Sequence, residues 1–138
     1  MFMEWDVNYW AVPVAALATM VVGAIYYSPA VAGHAWIKAI GKTEEEVRAA
    51  NRPILYVIAA ILSLIQASVL SALIGWADAH TLLGGALVGL LLWIGMAVPM
   101  VSVTFLFEGR ALANHIISGL YFLIALVASG AILGAWGP

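Results

Sequence analysis

The chain of 138 residues is 65% apolar and only 9% charged, with a mean hydropathy of +1.08. A soluble domain is roughly 45–50% apolar and about 25% charged, so this composition excludes a water-soluble globule and points to lipid. The net charge of −2, with no basic stripe, argues against a nucleic-acid partner, and the absence of cysteine removes disulfides, thiolate metal sites and cysteine nucleophiles together.

The charges are unevenly placed. After Glu4 and Asp6 none occurs until Lys38, and further charge-free stretches run over 53–77, 79–107 and 111–138. Each holds the roughly 20 apolar residues that a helix needs to cross about 30 Å of hydrocarbon. The expected fold is therefore all-α, with four transmembrane helices in an antiparallel bundle forming a single domain over 1–138. The long apolar runs lack the alternating polarity of barrel strands.

The first helix is expected over about 8–27 and is stopped by Ser28-Pro29, because proline lacks an amide hydrogen and disfavours helix in the residue before it. Ala30-Val31-Ala32 loosely resembles a signal-peptidase site. The acidic start Glu4-Trp5-Asp6 and the length of the segment speak instead for a retained helix.

Residues 28–53 form the one substantial polar connection. Trp36, Ile37 and Ile40 share a face there with Lys38 turned away, which suits a short interfacial helix. Thr43 and Glu46 have the spacing of a capping box, and Glu44 and Arg48 that of a helical ion pair.

The second helix is expected over about 54–75, opened by Pro53. A short link through Asp78 and His80 allows only an antiparallel return. The third helix is expected over about 82–107 and the fourth over about 111–134, joined by the turn Glu108-Gly109-Arg110. A weak echo relates Leu73-Ile74-Gly75-Trp76 to Leu133-Gly134-Ala135-Trp136.

Lys38, Lys42, Arg48, Arg52 and Arg110 all fall on one side of this topology, which the positive-inside rule makes cytoplasmic. Both termini are then outside, as expected for a multi-pass protein of a bacterial inner membrane. Trp5, Trp10, Trp76 and Trp136 would mark the outer aromatic belt, and Tyr26, Tyr27, Trp36 and Tyr56 the inner one.

Helices in lipid associate through close backbone approach and hydrogen bonds, so small residues at spacing four mark contact faces. Such rows are Ala11, Ala15, Thr19 and Gly23; Ala59, Ser63, Ala67, Ser71 and Gly75; Gly85 and Gly89; and Gly130 and Gly134. They predict a tight bundle with faces to spare for self-association.

Polar groups inside a membrane are costly unless partnered, which makes them the candidates for function. Glu108, Arg110, Asn114 and His115 cluster at the turn between helices three and four, where they either lock the turn or relay protons or ions. Gln66 lies mid-helix and is expected to bridge to another helix through Thr19 or Ser102. Pro99 removes a hydrogen bond to the carbonyl of Gly95, giving either a static kink or a hinge with a free carbonyl. Trp93 packs in the bundle or faces a lipid or cofactor.

His34 and His115 fall on one side and His80 on the other, so the three imidazoles are not expected to share a metal. No catalytic site, metal or cofactor is expected. Bound lipid is the one small-molecule companion that the composition suggests.

The run Gly23-Ala24-Ile25-Tyr26-Tyr27-Ser28-Pro29, followed by Gly33, Trp36 and Glu44-Glu45-Glu46, resembles the signature of a bacterial family of small four-helix membrane proteins. That family is known as domain of unknown function 1761. Trp93-Ile94-Gly95 and Phe107-Glu108-Gly109-Arg110 look like its third helix and exit turn, so the resemblance covers nearly the whole chain. It implies the four-helix topology and no activity.

The expected function is non-enzymatic. Short loops leave little surface outside the bilayer, which favours a homo-oligomeric packing module or an accessory subunit of a larger membrane complex. The alternative is a small channel or transporter with a polar path past Gln66, Pro99 and the cluster from Glu108 to His115. A membrane enzyme built on Glu108 and His115 is the third reading.

Overall fold

The computed structural model describes residues 7–109 and 111–137. Among the described residues the regular structure is entirely helical. In chain order the helices are α1 (Ala11–Tyr26), α2 (Gly33–Ala39), α3 (Glu44–Ala50), α4 (Pro53–Trp76), α5 (Leu82–Leu92), α6 (Val98–Glu108) and α7 (Leu112–Trp136). A π-helical turn over Trp93–Ala97 joins α5 to α6 without a break.

Three helical rods are long and apolar enough to cross a membrane: Pro53–Trp76, Leu82–Glu108 and Leu112–Trp136. The sequence predicts a fourth of that kind over about 8–27, but α1 has 16 residues. It is therefore about 24 Å long at 1.5 Å per residue, shorter than each of the three rods. Its late start has a local cause. The Asn8 Oδ1 accepts from the amides of Trp10 and Ala11, at 3.1 and 3.0 Å, and so holds the chain in a turn just before the helix. At the other end the chain turns at Ser28-Pro29, as the sequence implies.

The connection holds two short helices, α2 around Trp36 and α3 behind the capping box of Thr43. Between them Gly41 takes a φ of +71°, a left-handed conformation that glycine adopts without strain. The capping box of α3 is formed: Thr43 Oγ1 accepts from the Glu46 amide at 3.1 Å, and Glu46 accepts from the Thr43 amide at 3.4 Å. Glu44 does not pair with Arg48. Its carboxylate meets His34 Nδ1 at 2.9 Å, tying α3 back to α2.

α7 is the centre of the molecule and touches α1, α4 and α5. The closest contact is between α5 and α7. A Cβ added to Gly85 would collide with the Gly130 carbonyl, and one added to Gly130 with the Gly85 carbonyl. At Gly134 it would come within 2.9 Å of the Gly85 Cα. At Gly89 it would strike the Leu126 carbonyl. Numbering rises on one helix as it falls on the other, so the two run in opposite directions with their backbones touching.

The second contact joins α1 to α4 and α7 through the other small-residue rows. Ala11, Ala15 and Ala67 are buried with Leu70, Ile74 and Leu133 in one apolar core. Thr19 and Ser129 share a buried hydrogen bond of 2.7 Å across α1 and α7. The Asn8 amide donates to Ser71 Oγ at 3.1 Å, and its side chain donates to the Gly137 carbonyl at 3.4 Å, pinning the same end of three elements.

Pro99 shows its effect one turn upstream. Lacking an N–H, it is tolerated in the first turn of a helix but not in the interior. The wide turn, in which the Val98 amide reaches the Trp93 carbonyl, restarts the helix at Val98 and puts Pro99 in its first turn. Gly95 and Pro99 both lie on the exposed face, and a Cβ on Gly95 would meet nothing within 4 Å.

The two glycine environments predict opposite outcomes. Gly85→Val should destabilise by about 3 kcal/mol or more, since backbone must move to admit the side chain, whereas Gly95→Ala should be neutral or stabilising by up to about 1 kcal/mol. Unfolding titrations of the detergent-solubilised protein measure both. Ser129→Ala should cost about 0.5–1.5 kcal/mol, and the loss should not add to that of Thr19→Val in a double-mutant cycle.

Candidate functional site

A groove of about 840 Å³ lies between α1, α4 and the connecting helices α2 and α3. Its origin lies in side-chain size. Gly23 and Ala24 on α1 and Ala59 and Ser63 on α4 line its floor, while Ala11 and Ala15 further along α1 are sealed in the core. The small-residue rows thus close at one end of α1 and leave space at the other.

The roof of the groove depends on a tight reversal. Gly33 donates its amide to the Ser28 carbonyl at 2.9 Å, and a Cβ there would stand 2.5 Å from the Tyr27 carbonyl oxygen and 2.7 Å from that of Ser28. Only glycine fits such an approach. The reversal at Pro29 and Gly33 returns α2 along α1 so that the Trp36 and Tyr27 rings meet edge to face, 5.1 Å apart. Tyr27 also lies 5.4 Å from Tyr121 of α7. Gly23, Tyr27, Pro29, Gly33 and Trp36 therefore form one structural unit, in which Gly23, Tyr27 and Trp36 line the groove and Pro29 and Gly33 shape its corner.

Of the polar cluster expected at the turn after α6, His115 is held by α6. His115 Nε2 is 3.1 Å from Ser102 Oγ, and its ring stacks on Phe105 with centroids 4.5 Å apart. Glu108 is exposed at the end of α6, Asn114 is half-buried on α7, and Arg110 lies outside the described residues. His115 lines a second cavity, of about 200 Å³, between α6 and α7. Among the described residues no three of His, Asp and Glu gather in one place.

Gln66 belongs to a third cavity, of about 250 Å³, together with Thr19, Tyr121 and Phe122. Neither hydroxyl expected to bridge to it does so. Thr19 is bonded to Ser129 and Ser102 to His115. Ala97, Val101 and Phe122 border both smaller cavities, so Gln66 and His115 stand on opposite sides of one apolar partition. Pro99 and Gly95 border neither.

Trp93 packs in the bundle: its Nε1 donates to the Gly119 carbonyl at 2.8 Å. Tyr26 Oη donates to the Ile117 carbonyl at 2.7 Å, and Tyr121 Oη reaches the Thr19 carbonyl at 3.4 Å. These long side chains tie α1 and the π-helical turn to α7.

Sequence reasoning missed Tyr121, Lys42, Asn51 and Tyr56 as parts of the groove. Tyr121 lies on α7, Tyr56 on α4, and Lys42 and Asn51 in the links on either side of α3, so no single helix face gathers them. Replacement of Gly33 by alanine should free α2 from Tyr27 without unfolding the long helices. The expected signs are faster proteolysis within 29–52 and unchanged helical circular dichroism.

No curated protein and no solved structure matches this chain. A family match covers residues 10–134, from the entry to α1 to near the end of α7, and so takes in the groove, both smaller cavities and the glycine contact. The chain belongs to the family described as protein of unknown function (DUF1761).

Proposed function

We propose that the chain is a small integral membrane protein that acts by association rather than by catalysis, as a homo-oligomeric packing module or as an accessory subunit of a larger membrane complex. In this reading α1 joins the three longer rods as a fourth crossing of an antiparallel bundle. The basic connection faces the cytoplasm and both termini face outward across a bacterial inner membrane. Large apolar side chains on the outer faces of α4 and α6, among them Ile61, Leu62, Ile65, Leu106 and Phe107, suit contact with lipid or with another apolar helix.

The observation that carries the reading is where the polar groups of the long helices go. Thr19, Ser129, Ser102, His115, Trp93 and Tyr121 spend their hydrogen bonds on neighbouring helices. Groups used this way fix the packing of a bundle and are poorly placed to pass a solute along. Gln66 favours the second reading, a channel or transporter. It lines a cavity, and no hydrogen bond to it is found among the described residues.

Native mass spectrometry of the protein released gently from its own membrane separates these readings. The expected result is a defined multiple of the 14.6 kDa chain, or the chain with a larger subunit in fixed ratio. A lone monomer would overturn the association reading. Reconstituted vesicles should show no ion or proton flux above empty ones, and a flux abolished by Gln66→Leu would establish the transporter instead.

A further inference from the structure

The groove between α1 and α4 has apolar walls at one end and cations at the other. Its volume of about 840 Å³ falls within the roughly 300–1,000 Å³ of sites that enclose a small molecule. From Leu55 to Ser63 the α4 wall extends about 12 Å at 1.5 Å per residue. Along that length the lining is made by Met20, Val21, Ala24 and Ala59. Where the groove reaches the connection, Trp36 and Tyr56 border it, and Lys42 and Asn51 stand at the same end.

A hollow of about 360 Å³ adjoins this end and is lined by Asn51, Arg52, Pro53 and Tyr56. The two spaces share Asn51 and Tyr56, whose side chains are joined by a hydrogen bond of 2.9 Å from Asn51 Nδ2 to Tyr56 Oη. Lys42 lines the first of these spaces and Arg52 the second. No carboxylate lines either space: Glu44 is held by His34, and Glu46 by the amide and hydroxyl of Thr43. Among the described residues neither cation has an acidic partner.

A narrow apolar trough that ends in aromatic rings and two uncompensated cations matches a molecule with a hydrocarbon tail and an anionic head. We propose that this groove binds one anionic phospholipid, with an acyl chain between α1 and α4 and the phosphate between Lys42 and Arg52. The proposal rests on the membrane reading above, because the lipid is recruited from the bilayer that surrounds the same helices. Gly33 acquires a role in it, since the reversal at that residue puts Trp36 over the acyl chain.

The test is native mass spectrometry of the full chain from vesicles holding equal amounts of phosphatidylglycerol and phosphatidylcholine. The expected spectrum shows one phosphatidylglycerol per chain, retained after detergent removal. The double substitution Lys42→Glu and Arg52→Glu should reduce that retention by roughly 10–30-fold, as expected from loss of two cations near a lipid head. Ala59→Trp, which fills the trough, should abolish it, and Ala24→Phe does the same from the opposite wall should the first variant fail to fold. Equal retention of both lipids, or retention indifferent to the two trough-filling variants, would overturn the proposal. So would a neutral small molecule or a protein segment found in the groove. Carbonate extraction of the same samples tests membrane insertion by itself, so failure of that reading is distinguishable from failure of the lipid site.

Discussion

The contact of α5 with α7 through Gly85, Gly89, Gly130 and Gly134 brings two backbones together with no side chain between them. In hydrocarbon there is no gain from removing apolar surface from water, so helices hold together by close van der Waals fit and by hydrogen bonds. The glycines supply the first and make α7 the axis of the molecule. Once α5 is fixed on one side of α7, α1 and α4 have only the other side left, and the Thr19–Ser129 bond sets their height.

The same axis explains why the hollows lie where they do. The glycine contact holds α5 against the C-terminal part of α7, but past the wide turn at Trp93–Ala97 α6 contains no glycine before its end and no buried residue. Side chains keep α6 off α7 there, and Ser102, Phe105 and His115 bridge the gap instead. Pro99 is the reason for the wide turn, because it restarts the helix at a position where a missing amide hydrogen does no harm. On the far side, α1 is closed against the core through its first half and stands away from α4 in its second. The resulting space is roofed by the segment that Gly33 turns back.

Several polar residues of the helices are absorbed by this construction. A serine, threonine or tyrosine that bonds to a facing helix contributes modestly to stability, about 0.6 kcal/mol on average in one well-measured membrane protein, yet it selects one packing among many that apolar surfaces would allow equally well. The groove at Lys42 and Tyr56 and the cavity at Gln66 differ, since polar side chains border space there.

Composition and the spacing of charges were enough to identify the long apolar helices, because apolarity over some 20 residues is a property of one segment and needs no partner. The capping box at Thr43 and Glu46 and the stop at Ser28-Pro29 were legible for the same reason: each depends on residues within one turn. The rows of small residues told which faces meet, as at Gly85 and Gly130, though not which helix meets which. Tertiary structure alone decided that Thr19 bonds to Ser129 and not to Gln66, and that Glu44 pairs with His34 and not with Arg48. It also decided that the run from Gly23 to Trp36 forms a groove with Tyr121 and Tyr56. Those outcomes depend on the rotation and height of one helix against another, which are set by many weak contacts at once and leave no periodic mark on the chain.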